Sequence, residues 1–221
     1  MAAGDKKSSA VVVLQEYLDA FIVAGLVALF LITFVIRTFY IPSGSMIPTL
    51  QIRDVLLVNE LEYHLHPPQP GDIAVFMPPV ESQGDEFIKR VIGVPGDTIS
   101  ISGGRFYRNG RLVREPYLYE PTAYNLAIKN YDIYVNGSPL DPASADIPPK
   151  SQWQAPDRIP RGYFLMLGDN RNYSDDSHIW GFAQLHGRFV AGPLARTLAQ
   201  AAFTGRAFLV FWPFDRIRIL H

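Results

Sequence analysis

FIKRVIGVPGDTISISGGRFYRNGRLV occupies residues 87–113. It contains four short runs rich in β-branched and aromatic residues, at 87–94, 98–102, 105–108 and 111–113. Pro, Gly and Asp separate them. Asn109-Gly110 divides the last two and is a strong hairpin signal, because both turn positions must accept a positive φ. Strand-length runs divided by such turn residues predict β-strands. Outward from this stretch, residues 55–59, 73–77, 163–168 and 207–212 follow the same pattern. The expected fold class is therefore mostly β. Residues 115–160 are rich in Pro, Tyr and Asn with poor periodicity. They are expected to leave the β core as a long excursion, with a hairpin of their own near 131–137. Residues 190–203, VAGPLARTLAQAAF, suggest a short helix after Pro193. Its apolar pattern is short, as on an ordinary surface helix.

The chain has 221 residues, 48% of them hydrophobic, which is enough for a real core in one or two compact domains. Lys+Arg number 20 against 21 Asp+Glu, a formal charge of -1. No basic field is present to hold nucleic acid by its phosphates. With no cysteine, disulfide scaffolds, thiolate metal sites and a Cys nucleophile are excluded. Only five of the cations are lysine, and three of those (Lys89, Lys129, Lys150) lie beyond the N-terminal region.

Residues 20–36, AFIVAGLVALFLITFVI, carry no charge and are bounded by Asp19 and Arg37. With Tyr17, Phe39 and Tyr40 at the ends, where interfacial rings are favoured, residues 17–40 predict a membrane-spanning helix behind a short tail at 1–16. A cleaved leader would have a shorter apolar region and a small-x-small site after it. Thr-Phe-Tyr-Ile-Pro follows instead. Lys6 and Lys7 on one side balance Arg37 and Arg53 on the other, so charge does not orient the span.

Three segments carry chemistry. In the run Phe87-Ile88-Lys89-Arg90-Val91-Ile92, strand alternation sets each cation among apolar neighbours. A buried Arg90 requires an acidic partner, because arginine keeps its proton. A buried Lys89 loses its proton more readily and becomes a general base. A solvated strand face is the ordinary alternative for lysine. The second segment is Ile41-Pro42-Ser43-Gly44-Ser45-Met46-Ile47-Pro48, a constrained turn that can present one hydroxyl. Serine attacks only when a base takes its proton. The third is the polar loop 168–182, GDNRNYSDDSHIWGF. Asp169, Asn170, Asp175 and Asp176 offer oxygen ligands, but their spacing fits no calcium loop well. Of five histidines, only His178, beside Asp176, suits a Ser-His-Asp arrangement.

Together these segments resemble bacterial type I signal peptidases, membrane-bound serine proteases with a Ser–Lys dyad. The matches are IPSGSMIPTL at 41–50, GDIAVF at 71–76, FIKRVIGVPGD at 87–97 and GDNRNYSDDSHIWGF at 168–182, with a weaker GRAFLVFW at 205–212. Four matches stand in the family's order behind an N-terminal span. They leave out the excursion and the 190–203 stretch. The resemblance implies a β-rich catalytic domain at 41–221 on one transmembrane helix, with the N-terminus in the cytoplasm and the domain outside the plasma membrane. It implies Ser45 as nucleophile and Lys89 as neutral base. The Ser45 N–H and Ser43 hydroxyl would form the oxyanion hole, and Ser174 would orient the lysine amine. Arg90 and Asp169 would form a structural ion pair, supported by Arg171 and Asp176. Ile41, Pro42, Met46, Phe87 and Ile88 would line shallow pockets for small residues before the cut. The implied partners are signal peptides of exported preproteins and membrane lipid, with no nucleic acid, metal or cofactor. His178 stands where the family commonly carries arginine, Phe87 where some relatives carry tyrosine, and Asn172 where an aspartate is frequent. Two alternatives stay open: a Ser–Lys processing peptidase with few substrates, and a non-catalytic anchored domain that binds peptides.

Overall fold

The computed structural model describes residues 9–80, 85–184 and 203–220. The chain divides into two units, Met1–Arg37 and Thr38–His221. The first is built on helix α1 (Ser9–Phe34). Its stretch Val12–Phe30, with mean hydropathy 1.8 and none of it buried, is long and apolar enough to cross a membrane. The helix boundaries differ from the expected 17–40. Ile36–Tyr40, IRTFY, is a β-strand. Its β-branched and aromatic residues favour extended backbone, and Arg37 and Thr38 end the apolar run that the helix needs.

The second unit carries two antiparallel sheets. The strands of the larger are β1 (Ile36–Tyr40), β2 (Val55–Asn59), β3 (Ile73–Phe76), β4 (Phe87–Gly93), β11 (Tyr163–Leu167), β12 (Ala183–Gln184), β13 (Phe203–Trp212) and β14 (Arg218–Ile219). Their order is β1-β2-β13-β3-β4-β11-β12, with β14 on β13. The smaller sheet holds β5 (Ile99–Ser102), β6 (Arg105–Arg108), β7 (Arg111–Val113), β8 (Leu126–Lys129), β9 (Asp132–Val135) and β10 (Ser138–Pro139), in the order β10-β9-β8-β5-β6-β7. Asn109 and Gly110 both have positive φ in the β6–β7 turn, as a two-residue hairpin loop requires.

One expectation is corrected. Residues 115–160 do not leave the β core. They supply β8, β9 and β10, and β8 pairs with β5 through Ser100 opposite Ala127. Each strand is only two to four residues long, too short to show a period among so many prolines. Of the stretch 190–203, residues 190–202 lie outside the described residues, and Phe203 opens a strand rather than closing a helix. There Phe203 pairs with Phe76, which extends β13 past the expected start at 207.

Apolar side chains gather in three buried clusters. One lies at the smaller sheet, around Ile101, Leu126, Ile133 and Phe182. Another packs Met46 and Leu50 against Leu56, Ile73 and Val210. The third centres on Phe76, Phe164, Trp180 and Phe203. β4 lies between β3 and β11, and its residues from Lys89 to Gly93 are all buried. That is why neither of its cations reaches solvent.

Candidate active site

The serine loop is pinned at both ends. Ile41 N–H donates to the Asp54 carbonyl and Arg53 N–H to the Ile41 carbonyl, each at 2.9 Å. Asp54 in turn takes two hydrogen bonds from Arg216, at 2.8 and 3.0 Å. Met46 is 0% and Ile41 2% exposed, and the loop uses both to seat itself on the core. Pro42 is exposed, while Phe87 and Ile88 are half-buried. Ser45 is 9% exposed, and its Oγ is 3.5 Å from the hydroxyl of the exposed Ser43.

Lys89 is 4% exposed and its register partner on β3 is Ala74. Among the described residues it makes no ion pair. The Phe87 ring lies 5.7 Å from its Nζ. Burial lowers its pKa from 10.5 to about 8, against smaller opposing pulls from Asp176 and Asp175. Arg90 points to the other face and meets a carboxylate. Its Nε and Nη2 reach the two oxygens of Asp169 at 2.8 and 2.7 Å, and Nη1 donates to the Gly71 carbonyl at 2.7 Å. A buried arginine is tolerable only with such saturation.

The loop after β11 joins these parts. Asn170 N–H donates to the Ser45 carbonyl and the Asn170 amide donates to the Gly44 carbonyl, both at 3.0 Å. Thr49 Oγ1 donates to Asp169, which therefore ties the serine loop to β4. Gly168 has no room for a side chain, because a Cβ would collide with Ser174 Oγ and the Ser45 carbonyl oxygen. The Ser174 hydroxyl is buried and finds no hydrogen-bond partner among the described residues, so its expected bond to the lysine amine is not made in this structure. Asp176 is fully buried, accepts the Gly168 N–H at 2.8 Å and caps the short helix Ser177–Trp180.

The partners Glu115, Tyr117 and Glu120, which shape this site, escaped the sequence reading. Arg171 is buried and pairs with Glu115 through Nη2 at 2.5 Å and Nη1 at 3.1 Å. Tyr117 lays its ring over the Arg90 guanidinium at 4.0 Å. Asn172 donates to Glu120 at 2.8 Å and accepts the Ala123 N–H at 2.8 Å. A neutral amide therefore replaces the missing carboxylate and suits an acidic neighbour. The one available signal was that a buried arginine needs an acid. Nothing near Arg171 in the chain pointed to Glu115. As for the oxygen-ligand alternative, Asp169 and Asp176 are both engaged within the protein.

A β-rich domain that pins a serine loop and buries on β4 a lysine without an ion pair among the described residues carries the residue types of a serine hydrolase. The family model described as "Signal peptidase, peptidase S26" matches residues 14–212. The chain is 38% identical over 209 residues to "Probable signal peptidase I-1" of Synechocystis sp., covering 92% of this chain and 85% of that one. It is 35% identical to "Signal peptidase I" of Leptolyngbya laminosa, covering 92% and 82%. It is 31% identical to "Signal peptidase I" of Pseudomonas aeruginosa, covering 94% and 80%. The chain belongs to the peptidase S26 family, among the bacterial type I signal peptidases, and is a serine peptidase.

Proposed function

We propose that this chain is a membrane-anchored endopeptidase that removes N-terminal signal peptides from exported preproteins, cutting after small-x-small motifs. The observation that carries the reading is Lys89, buried on β4 without an ion pair among the described residues, its pKa lowered by burial to about 8. In this reading, neutral Lys89 Nζ takes the Ser45 Oγ proton as Oγ attacks the scissile carbonyl. The Ser45 N–H and Ser43 hydroxyl receive the developing oxyanion. Lys89 passes its proton to the departing amine, which becomes the new N-terminus of the mature protein. Lys89 then deprotonates a water that hydrolyses the Ser45 ester and frees the signal peptide. The Ser174 hydroxyl, otherwise without a partner, turns to the lysine amine when substrate closes the site. Pro42, Phe87 and Ile88 border the pockets for the small residues. Helix α1 spans the membrane, with residues 1–16 in the cytoplasm and the catalytic unit outside.

The test is cleavage of a secretory preprotein by the detergent-solubilised chain, with the cut site read by mass spectrometry. A cut after small-x-small, lost in both Ser45→Ala and Lys89→Ala, is the expected result. A cut that survives Lys89→Ala means that another group is the base. The rate should also fall about tenfold per pH unit as pH drops below about 8, because only the neutral amine accepts the serine proton.

A further inference from the structure

Asn170 stands where a side chain of its type ordinarily caps its own helix, here the short 3-10 turn Arg171–Tyr173, yet it makes no such bond. Its amide crosses to the serine loop instead and donates to the Gly44 carbonyl at 3.0 Å. That oxygen can only accept, so the contact uses the NH2 group of the amide. The Ile47 N–H donates to the same oxygen at 3.1 Å, and the Gly44 carbonyl thus carries two donors. The Asn170 N–H donates to the Ser45 carbonyl at 3.0 Å. The peptides before and after the Ser45 Cα therefore both hang on one residue. Its neighbour Asp169 is fixed in turn by Arg90 and Thr49, so this support has little freedom. The Ser45 N–H, in contrast, donates to no group among the described residues.

We propose that Asn170 is a positioning residue for the oxyanion hole: through the Gly44 carbonyl it sets the direction in which the Ser45 N–H points. This rests on the reading of Ser45 as the nucleophile and of its N–H as an oxyanion donor. The peptide between Gly44 and Ser45 is trans, and in a planar trans peptide the C=O and N–H point opposite ways. Fixing the oxygen on one side therefore fixes the hydrogen on the other. A carbonyl that accepts hydrogen bonds also polarises its amide, which makes the N–H a stronger donor. Such a donor speeds the reaction only when it is aimed at the oxyanion before the charge develops. Without the Asn170 amide, the Gly44 carbonyl keeps only the Ile47 bond. The peptide can then rock, and Gly44 adds its own torsional freedom. Bound substrate does not need the N–H in that direction, whereas the tetrahedral intermediate does.

The experiment compares wild type, Asn170→Ala and Asn170→Asp as full-length chains in detergent, about one pH unit above the Lys89 pKa of about 8. Asn170→Asp keeps the size of the side chain and loses its donors, while Asn170→Ala loses the side chain. Both keep the main-chain bond to Ser45. Steady-state kcat and KM are measured on an internally quenched peptide with a small-x-small site. Rates are expressed per folded chain, and melting temperatures are recorded. Affinity is also measured for a peptide boronic acid of the same sequence. There Ser45 Oγ adds to boron, its proton passes to Lys89, and a tetrahedral anion is left in the hole. In both variants kcat should fall about ten- to a hundredfold, less than for loss of the donor itself, with KM within about twofold of wild type. Boronate affinity should fall by about the same factor as kcat/KM. A merely structural Asn170 would lower the melting temperature but leave kcat per folded chain and boronate affinity as in wild type, and that result overturns the proposal. So does a raised KM with unchanged kcat, or the failure of both variants to fold. Cleavage that survives Ser45→Ala defeats the reading of Ser45 itself. Cleavage lost there, with wild-type constants in the Asn170 variants, defeats only the role of Asn170.

Discussion

At the scale of the residue, Lys89 is held in a state that suits catalysis and works against stability. Its folded pKa, about 8, lies below the ordinary 10.5, so between those values the unfolded chain binds more protons than the folded one. Stability from this group therefore rises with pH through that window and is lowest below about pH 8. Lys89→Met should stabilise the fold at pH 7 by on the order of 1–3 kcal/mol while abolishing cleavage. Melting curves at pH 7 and pH 10.5 check the sign, since the gap between variant and wild type should shrink at the higher pH. Ser43 is the complementary case. Exposed, and 3.5 Å from the Ser45 hydroxyl, it contributes little to stability. In the proposed mechanism it is an oxyanion donor, whose loss should lower kcat about a hundredfold or more. Ser43→Ala should therefore melt like wild type and keep its KM, a split that steady-state kinetics reads directly.

At the scale of the element, the site is two loops locked by main-chain hydrogen bonds and two buried arginines. Gly168 shows how little slack there is. Its Cβ would strike Ser174 and the Ser45 carbonyl, and overpacking of this kind costs about 1–3 kcal/mol. Gly168→Ala should lower the melting temperature and reduce kcat more than the remaining folded fraction explains. Arg171 has Glu115 as its carboxylate partner. Glu115→Gln leaves a buried cation uncompensated, a loss of about 3–5 kcal/mol for a pair of this kind. Denaturant unfolding should show it as a lower midpoint with an unchanged slope. The segment after β7 thus acts on the site at a distance: it closes over Arg171 and Arg90, which hold the loop after β11.

At the scale of the whole molecule, the chain has two units with different surfaces. Among the described residues, the clusters of buried apolar side chains lie in the unit Thr38–His221. Helix α1 leaves Val12–Phe30 unburied, a surface that water does not tolerate at that size. A chain beginning at Ile36 should therefore melt cooperatively on its own and stay in the supernatant, while the full chain sediments with membranes. Fractionation followed by circular dichroism separates the two outcomes. A truncated chain without a cooperative transition would show that the catalytic unit needs its anchor to fold.

The sequence by itself determined the strands whose period is clear, the Asn109-Gly110 turn and the apolar N-terminal run, because each is a local property of a few neighbouring residues. It also marked Ser45, Lys89 and the 168–182 loop as the candidate chemistry. It did not show that residues 115–160 form half of the smaller sheet, since two- to four-residue strands carry too little pattern. Tertiary structure alone decided what lies across from what. Lys89 is buried because β3 and β11 flank it and both faces are covered. Met46 and Ile41 face the core because the loop must seat itself. Arg171 finds Glu115 and Asn172 finds Glu120 because folding brings those carboxylates within hydrogen-bond reach. Burial and pairing belong to the packed chain, and no local stretch of residues encodes them.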